Sequence, residues 1–455
     1  MSKRLAATES LAVVLLAGLA LVGARIGSSA EAGPNDWPQW RGPAGNRVAD
    51  GTALPMFWSE DENVAWRAAL RGLGVSSPIV WGDQVFVTYQ LGRSPRRDGS
   101  HPSLVRSRND EGSDERLMGD PSGGDASRVA FVVASFQRQD GRLLWEHEIE
   151  AQGRLFPVHD KHNLASPSPV TDGERVYAWF GNGQMVAVDM DGGEVWQRQL
   201  DEGGDSFNIG WGHSSSPMLY GNSLILQCDH GPSAYLLWLD ARTGEEQRRV
   251  RRSTSTTSYS TPAVVPGPDG DELIVNASER LEAYDPATGE LLWHTGENNS
   301  FPIGVPTYES GVLYTSRGHR SGPYMAIRMG GRGDITDSHV MWRVPTGAPY
   351  VSSVLLYRGH IYMSNGSGII SAVEAASGDR IWQERVGGVF SASPVAGDGK
   401  VYFVSETGET VVVAAGEAPR VLARNALDAR VIASPAISNG QIFIRADRHL
   451  IAIGS

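Results

Sequence analysis

The sequence predicts an all-β fold: an eight-bladed β-propeller with four antiparallel strands per blade, its last blade closed by a strand from the N-terminal part of the chain. Three observations carry that expectation. A tight turn followed by a tryptophan recurs, as QDGRLLW (Trp145), DMDGGEVW (Trp196), DPATGELLW (Trp293) and EAASGDRIW (Trp382). A serine-proline marker opens an apolar strand ahead of each unit, at Pro78, Pro169, Pro217, Pro262, Pro306, Pro394 and Pro435, with Val354 where an eighth proline would stand. Beyond the first interval these markers lie 40 to 48 residues apart. No stretch after the N-terminal region sustains a 3.6-residue apolar period, which excludes a helical solenoid of similar repeat length.

The elements follow in chain order. Lys3 and Arg4 precede an apolar run over 11–23, and Ala30 and Ala32 supply small residues for cleavage, so residues 1–32 read as a secretory signal peptide. The run is shorter than the roughly 20 residues a membrane span needs, so no transmembrane span is expected after cleavage. Residues 33–455 form the propeller and are expected in the periplasm or outside the cell, as a monomer. Trp66 in ENVAWRAAL matches the other tryptophans and is assigned to the outer strand of the last blade, whose own chain supplies only three strands before it ends. A polar insert over 93–128 lengthens the first blade. In DARTGEEQ, Gln247 occupies the tryptophan slot, and in AAGEAPRVL, Leu422 does. Each tryptophan reads as a spacer packed on the neighbouring blade, burying roughly 150–250 Å².

Composition narrows function. Forty basic against 52 acidic side chains give a net charge of −12, so no nucleic-acid partner is expected. The single cysteine, Cys228, reads as a buried small hydrophobe and allows no intrachain disulfide. There is no phosphate-binding loop, nucleophile elbow or His-Glu-x-x-His.

In a propeller, loops between the second and third strands share a face with the connections between blades. Most loop histidines converge there: FPVHDKHN (His159, Lys161, His162, Asn163), NIGWGHSS (Trp211, His213), CDHGPS (Asp229, His230), TSTTSYS (Tyr259) and RGHRSG (His319, Arg320). Lys161, His162, Trp211 and Arg320 are candidates to hold an anionic planar ligand by charge and stacking. No metal centre follows from the spacing, and its candidate ligands would be His159, His162, Asp229 and His230. Asp229 is the candidate catalytic carboxylate.

The turn, with aspartate or alanine, threonine-glycine and a tryptophan three or four residues later, resembles the repeat of the pyrroloquinoline-quinone (PQQ)-like propellers, and DWPQWRGPAGNR is similar to their opening segment. The resemblance covers about residues 36–455. It implies one of two lives: a binding scaffold outside the cytoplasm, or a quinoprotein oxidoreductase acting on alcohols or sugars with PQQ and calcium. The chain departs from the quinoprotein dehydrogenases in its short length and in lacking vicinal cysteines, and from the lipid-anchored relatives in lacking a lipidation cysteine. The scaffold reading, with a protein partner or small molecule at the funnel face, is the one expected.

Overall fold

The computed structural model describes residues 32–92, 128–153, 155–159, 161–200, 207, 209–231, 233–252, 256–296, 298–317 and 321–454. The signal-peptide assignment and nearly all of the polar insert lie outside them. Eight antiparallel sheets follow one another in chain order. Blade 1 holds Ile79–Trp81, Gln84–Leu91, Ala130–Gln137 and Leu143–Glu150. Blades 2 to 7 occupy 170–199, 218–251, 263–295, 307–344, 355–385 and 395–426. Blade 8 combines Ala436–Ser438, Gln441–Arg445 and His449–Ile453 with Val64–Ala69, so the ring closes by hydrogen bonds between the two ends of the chain. That removes the free edge a three-stranded last blade would leave. Among the described residues the one helix is the single turn Thr336–His339, and no helix is long and apolar enough to cross a membrane.

The tryptophans show why the repeat has its spacing. The aspartate of each turn caps the backbone behind it: Asp240 Oδ1 accepts from the Arg242 and Thr243 N–H groups, and Asp285 Oδ1 from those of Ala287 and Thr288. The outer strand then carries an indole that reaches the same turn of the next blade. Trp66 Nε1 donates to Arg138 O at 2.8 Å, Trp145 to Met190 O at 2.9 Å, Trp196 to Ala241 O at 3.0 Å, Trp342 to Ala375 O at 3.0 Å and Trp382 to Gly416 O at 3.0 Å. The ring lies where a Cβ of the turn glycine would stand. A Cβ on Gly192 would come within 2.7 Å of Trp145, and one on Gly244 within 2.7 Å of Trp196. Glycine is therefore required twice over, by its positive φ and by the ring above it.

Register corrects two assignments. In each blade the third and outer strands are offset by a bulge at the residue ahead of the slot. Gln247 and Leu422 are those bulged residues, and the slots belong to Arg248, opposite Trp238, and Ala423, opposite Val412. Elsewhere a tryptophan faces Ser135 or an alanine, large against small. Blade 3 moves the indole to the third strand: Trp238 faces Arg248 and still donates to Pro286 O of blade 4 at 2.8 Å. Blade 7 can dispense with an indole because blade 8 has no covalent turn for it to meet. Trp293 is the other exception. Blade 5 replaces its tight turn with a longer path, of which Gly333–Asp334 pairs in parallel with the outer strand of blade 4. The Trp293 indole is fully buried against Ile335 and Met329 and donates to Glu272 Oε2 of its own blade at 2.6 Å.

The serine of each strand-opening marker is a link between blades. The Ser77 N–H donates to Ser168 Oγ, Ser168 to Ser216 and Ser216 to Thr261, each at 2.9 Å. The series resumes from Val305 to Ser353 (3.0 Å), Ser353 to Ser393 and Ser393 to Ser434 (both 2.9 Å). Blade 4 cannot pass the link to blade 5 because Val305 has no hydroxyl.

The opening segment runs across the face opposite the funnel loops. Trp37 pairs with Val80 of blade 1, and Pro38 O accepts from the Thr171 N–H of blade 2. Arg41 and Arg47 then reach carbonyls of blades 5 and 6, Ala49 bonds to Ala396 of blade 7, and Trp58 bonds to Asn425 before the strand of blade 8 begins.

Candidate functional site

The connection from blade 1 to blade 2 and that from blade 2 to blade 3 are stitched together at the funnel. His159 N–H donates to Trp211 O at 3.0 Å, and His162 N–H donates to His159 O at 2.9 Å. The His159 ring meets the Trp211 indole edge-on, 5.6 Å between centroids. Beneath them Gly212, at φ +99°, lets the His162 ring approach, since a Cβ there would stand 2.8 Å from His162 Nδ1. Burial, helped by His159 and His213 nearby, pushes His162 down to about 3, so its imidazole is neutral at pH 7.

His213 and His230 form a second pair. His213 Nε2 lies 3.1 Å from Ser215 O, a pure acceptor, so that nitrogen carries the proton. His213 Nδ1 is then the acceptor of a hydrogen bond that His230 Nε2–H donates at 3.4 Å. The His230 Nδ1 lone pair is left buried with no partner among the described residues. Aromatic rings enclose the pair: Trp179 lies 4.1 Å from His213 and Phe207 4.3 Å from His230, centroid to centroid. Burial holds His213 well below the usual range and His230 at about 3.

Asp229 neighbours His230 in sequence, but its carboxyl turns into the space between blades 3 and 4. It accepts from Gln227 Nε2 at 2.7 Å and lies 3.4 Å from Arg252 Nη1. Arg252 in turn pairs with Glu282 at 2.6 Å, which also accepts from Arg280 and the Tyr284 hydroxyl. Burial raises Asp229 to about 6 despite the opposing pull of Arg252.

Lys161 is paired. Its Nζ lies 2.7 Å from Glu406 Oε2, and Ser391 Oγ donates to Glu406 Oε1 at 2.5 Å. Lys161 comes from the connection between blades 1 and 2, Glu406 from the second-to-third-strand loop of blade 7, so the pair spans a chord of the funnel. Both side chains are mostly buried. Arg320 and His319 lie outside the described residues.

Of the predicted residues, the structure thus brings His159, Lys161, His162 and Trp211 together, sets His213 and His230 beside them, and places the Asp229 carboxyl behind them. Sequence reasoning missed Glu406, Ser391, Trp179 and Phe207. Glu406 sits in the same class of loop as the histidines, a signal that strand register alone could have supplied.

Lys161, the expected partner of an anionic quinone, is neutralised by Glu406, and among the described residues no group of three or more His, Cys, Asp or Glu side chains is placed to hold a metal ion. What the described residues do present is neutral imidazole, with His230 Nδ1 and the ring nitrogens of His162 buried without a hydrogen-bond partner among them, and an aromatic box, which suits hydrogen bonding to a bound group.

Comparisons with known proteins agree with the fold. The family model described as outer membrane protein assembly factor BamB matches residues 129–301, 277–387 and 366–454. Tetrathionate hydrolase of Acidithiobacillus ferrooxidans is 24% identical over 289 residues, 60% of this chain and 53% of that protein. Outer membrane protein assembly factor BamB of Yersinia pestis is 25% identical over 151 residues, 31% of this chain and 37% of that protein. The chain thus spans about half or less of the length of these relatives. In three dimensions it is similar to quinohemoprotein alcohol dehydrogenase from Comamonas testosteroni, with a TM-score of 0.65 at 13% identity, covering 94% of this chain and 82% of that one.

Proposed function

This chain belongs to the family of PQQ-like propellers described as outer membrane protein assembly factor BamB, and on that premise we propose that it is an exported protein-binding scaffold that acts outside the cytoplasm. One observation carries the reading. Leu143, Val195, Leu291, Met341 and Val421 are 40–45% exposed, and each stands one or two residues ahead of the register slot on the outer strand of its blade. Apolar side chains repeated beside outer strand edges offer an extended polypeptide side-chain contacts and, outside blade 4, whose edge Gly333–Asp334 already pairs, main-chain partners as well. The partner class is therefore an extended segment of alternating apolar residues, as in the strand of another exported protein. The funnel supports the same reading from the other side, since Lys161 and Glu406 hold each other across it.

The test is fluorescence anisotropy with a labelled peptide of alternating apolar sequence, on wild type and on a variant with Leu143, Val195 and Met341 all changed to lysine. Binding by wild type and at least tenfold weaker binding by the variant support the scaffold. A parallel titration with PQQ and calcium gives the contrary outcome: saturable quinone binding with a raised thermal midpoint, abolished by changing Lys161 and His162, together with no peptide binding, would overturn the scaffold in favour of an oxidoreductase.

A further inference from the structure

Two guanidinium groups of the opening segment are buried against the inner strands of the ring. Arg41 and Arg47 sit on one short loop, held shut by the Arg47 N–H donating to Arg41 O at 2.8 Å. Arg41 Nη1 donates to Pro306 O and Arg47 Nη2 to Val354 O, at the start of the inner strands of blades 5 and 6. Arg41 is 4% exposed and Arg47 fully buried. Both lie over the Trp40 ring, 5.9 and 5.7 Å from its centroid. Nε and Nη2 of Arg41, and Nε and Nη1 of Arg47, are buried without a hydrogen-bond partner. Among the described residues neither arginine has a carboxylate partner. Burial lowers Arg41 to about 9 and holds Arg47 well below the usual guanidinium value, with the charge of Arg41 adding to the effect.

Two like charges with four unmatched donor atoms are an expensive thing to bury. Contact with one indole face offsets only a small part of that cost. The donors share one loop and one ring, so a single group could meet both. We propose that Arg41 and Arg47, with Trp40 beside them, bind a small inorganic anion, a sulfate, phosphate or halide, that ties the opening segment to blades 5 and 6. The planar donor fork of arginine suits an oxyanion in particular. This inference is independent of the scaffold reading.

The experiment follows the thermal midpoint of the purified chain in a HEPES–gluconate buffer as sodium sulfate or sodium bromide is added at constant ionic strength. The expected result is a saturable rise for wild type, at least about tenfold weaker in apparent affinity for Arg47→Met and largely retained for Arg47→Lys. Without sulfate or bromide, Arg47→Met should match or exceed the wild-type midpoint, because it removes a buried uncompensated charge. Crystals soaked in bromide should show an anomalous peak within hydrogen-bonding reach of both guanidiniums, which decides the matter if Arg47→Met fails to fold. A midpoint indifferent to sulfate and bromide at constant ionic strength, an equal response in wild type and Arg47→Met, or no anomalous peak beside the arginines would overturn the proposal and leave water as what meets these donors.

Discussion

The interlock between an indole and the glycine of the next blade can be tested with two glycines that differ in one respect. Gly221 and Gly244 both have positive φ, +56° and +70°. A Cβ on Gly221 would meet nothing within 4 Å, whereas one on Gly244 would lie 2.7 Å from Trp196 Cε3 and 2.8 Å from Cδ2. Gly221→Ala should therefore cost only the left-handed backbone strain, about 1–2 kcal/mol. Gly244→Ala adds overpacking against a ring that cannot retreat, since Trp196 is 6% exposed and its N–H is bonded to Ala241 O. That addition is about 1–3 kcal/mol. Equilibrium unfolding in guanidinium chloride of both variants, with Gly244→Ala repeated in a Trp196→Phe background, measures the difference and the coupling. The reasoning is refuted if the two alanine variants agree within about 0.5 kcal/mol, or if Trp196→Phe leaves the cost of Gly244→Ala unchanged.

Other expectations rest on separate contacts. Ser216→Ala removes the acceptor of the buried Ser168 N–H and should cost about 1–3 kcal/mol by the same unfolding measurement, while a change at exposed Ser367 costs little. Acid should destabilise the protein through its buried histidines: His162 and His230 have folded values near 3, below the unfolded value of about 6.5, so their contribution is fully present above 6.5 and is lost as pH falls toward 3. The slope is up to about 1.4 kcal/mol per pH unit for each, and His230→Asn should flatten it in urea titrations between pH 4 and 6.5. Asp229 works in the opposite sense, since its raised value makes its contribution fall as pH rises from about 4 through about 6, and Asp229→Asn should remove that opposing part. Glu406→Gln leaves Lys161 mostly buried and unpaired at the funnel, and a double-mutant cycle with Lys161→Met should show a coupling of about 1 kcal/mol or more.

How far the site was legible depended on sequence distance. His159, Lys161 and His162 stand within one loop, and a strand count placed that loop at the funnel. The partner of Lys161 lies 245 residues away, and although its loop could be placed at the funnel, nothing local in SETGET says which of its two glutamates meets the lysine. The His213–His230 pair was visible as two loop histidines, but the enclosing Trp179 and Phe207 were not, because nothing in a strand ending in tryptophan says which way its last ring turns. Asp229 shows the reverse error of proximity: adjacent to His230 in the chain, its carboxyl faces another space because successive residues of extended chain point to opposite sides.

The number of blades, their order and the seam at blade 8 were already written in the chain, because turns, caps and strand alternation are local and repeat at a fixed interval. Finer matters depended on neighbours distant in sequence. A bulge shifts Gln247 and Leu422 out of the slot by one residue, the indole of blade 3 stands on the third strand opposite Arg248, and Trp293 turns to Glu272 because blade 5 offers it no tight turn. The marker serines were plain to read, yet their purpose, an N–H of one blade answered by a hydroxyl of the next, exists only once the blades stand side by side. The buried arginines of the opening segment belong with them, for a charge in a sequence has no cost until folding removes its water.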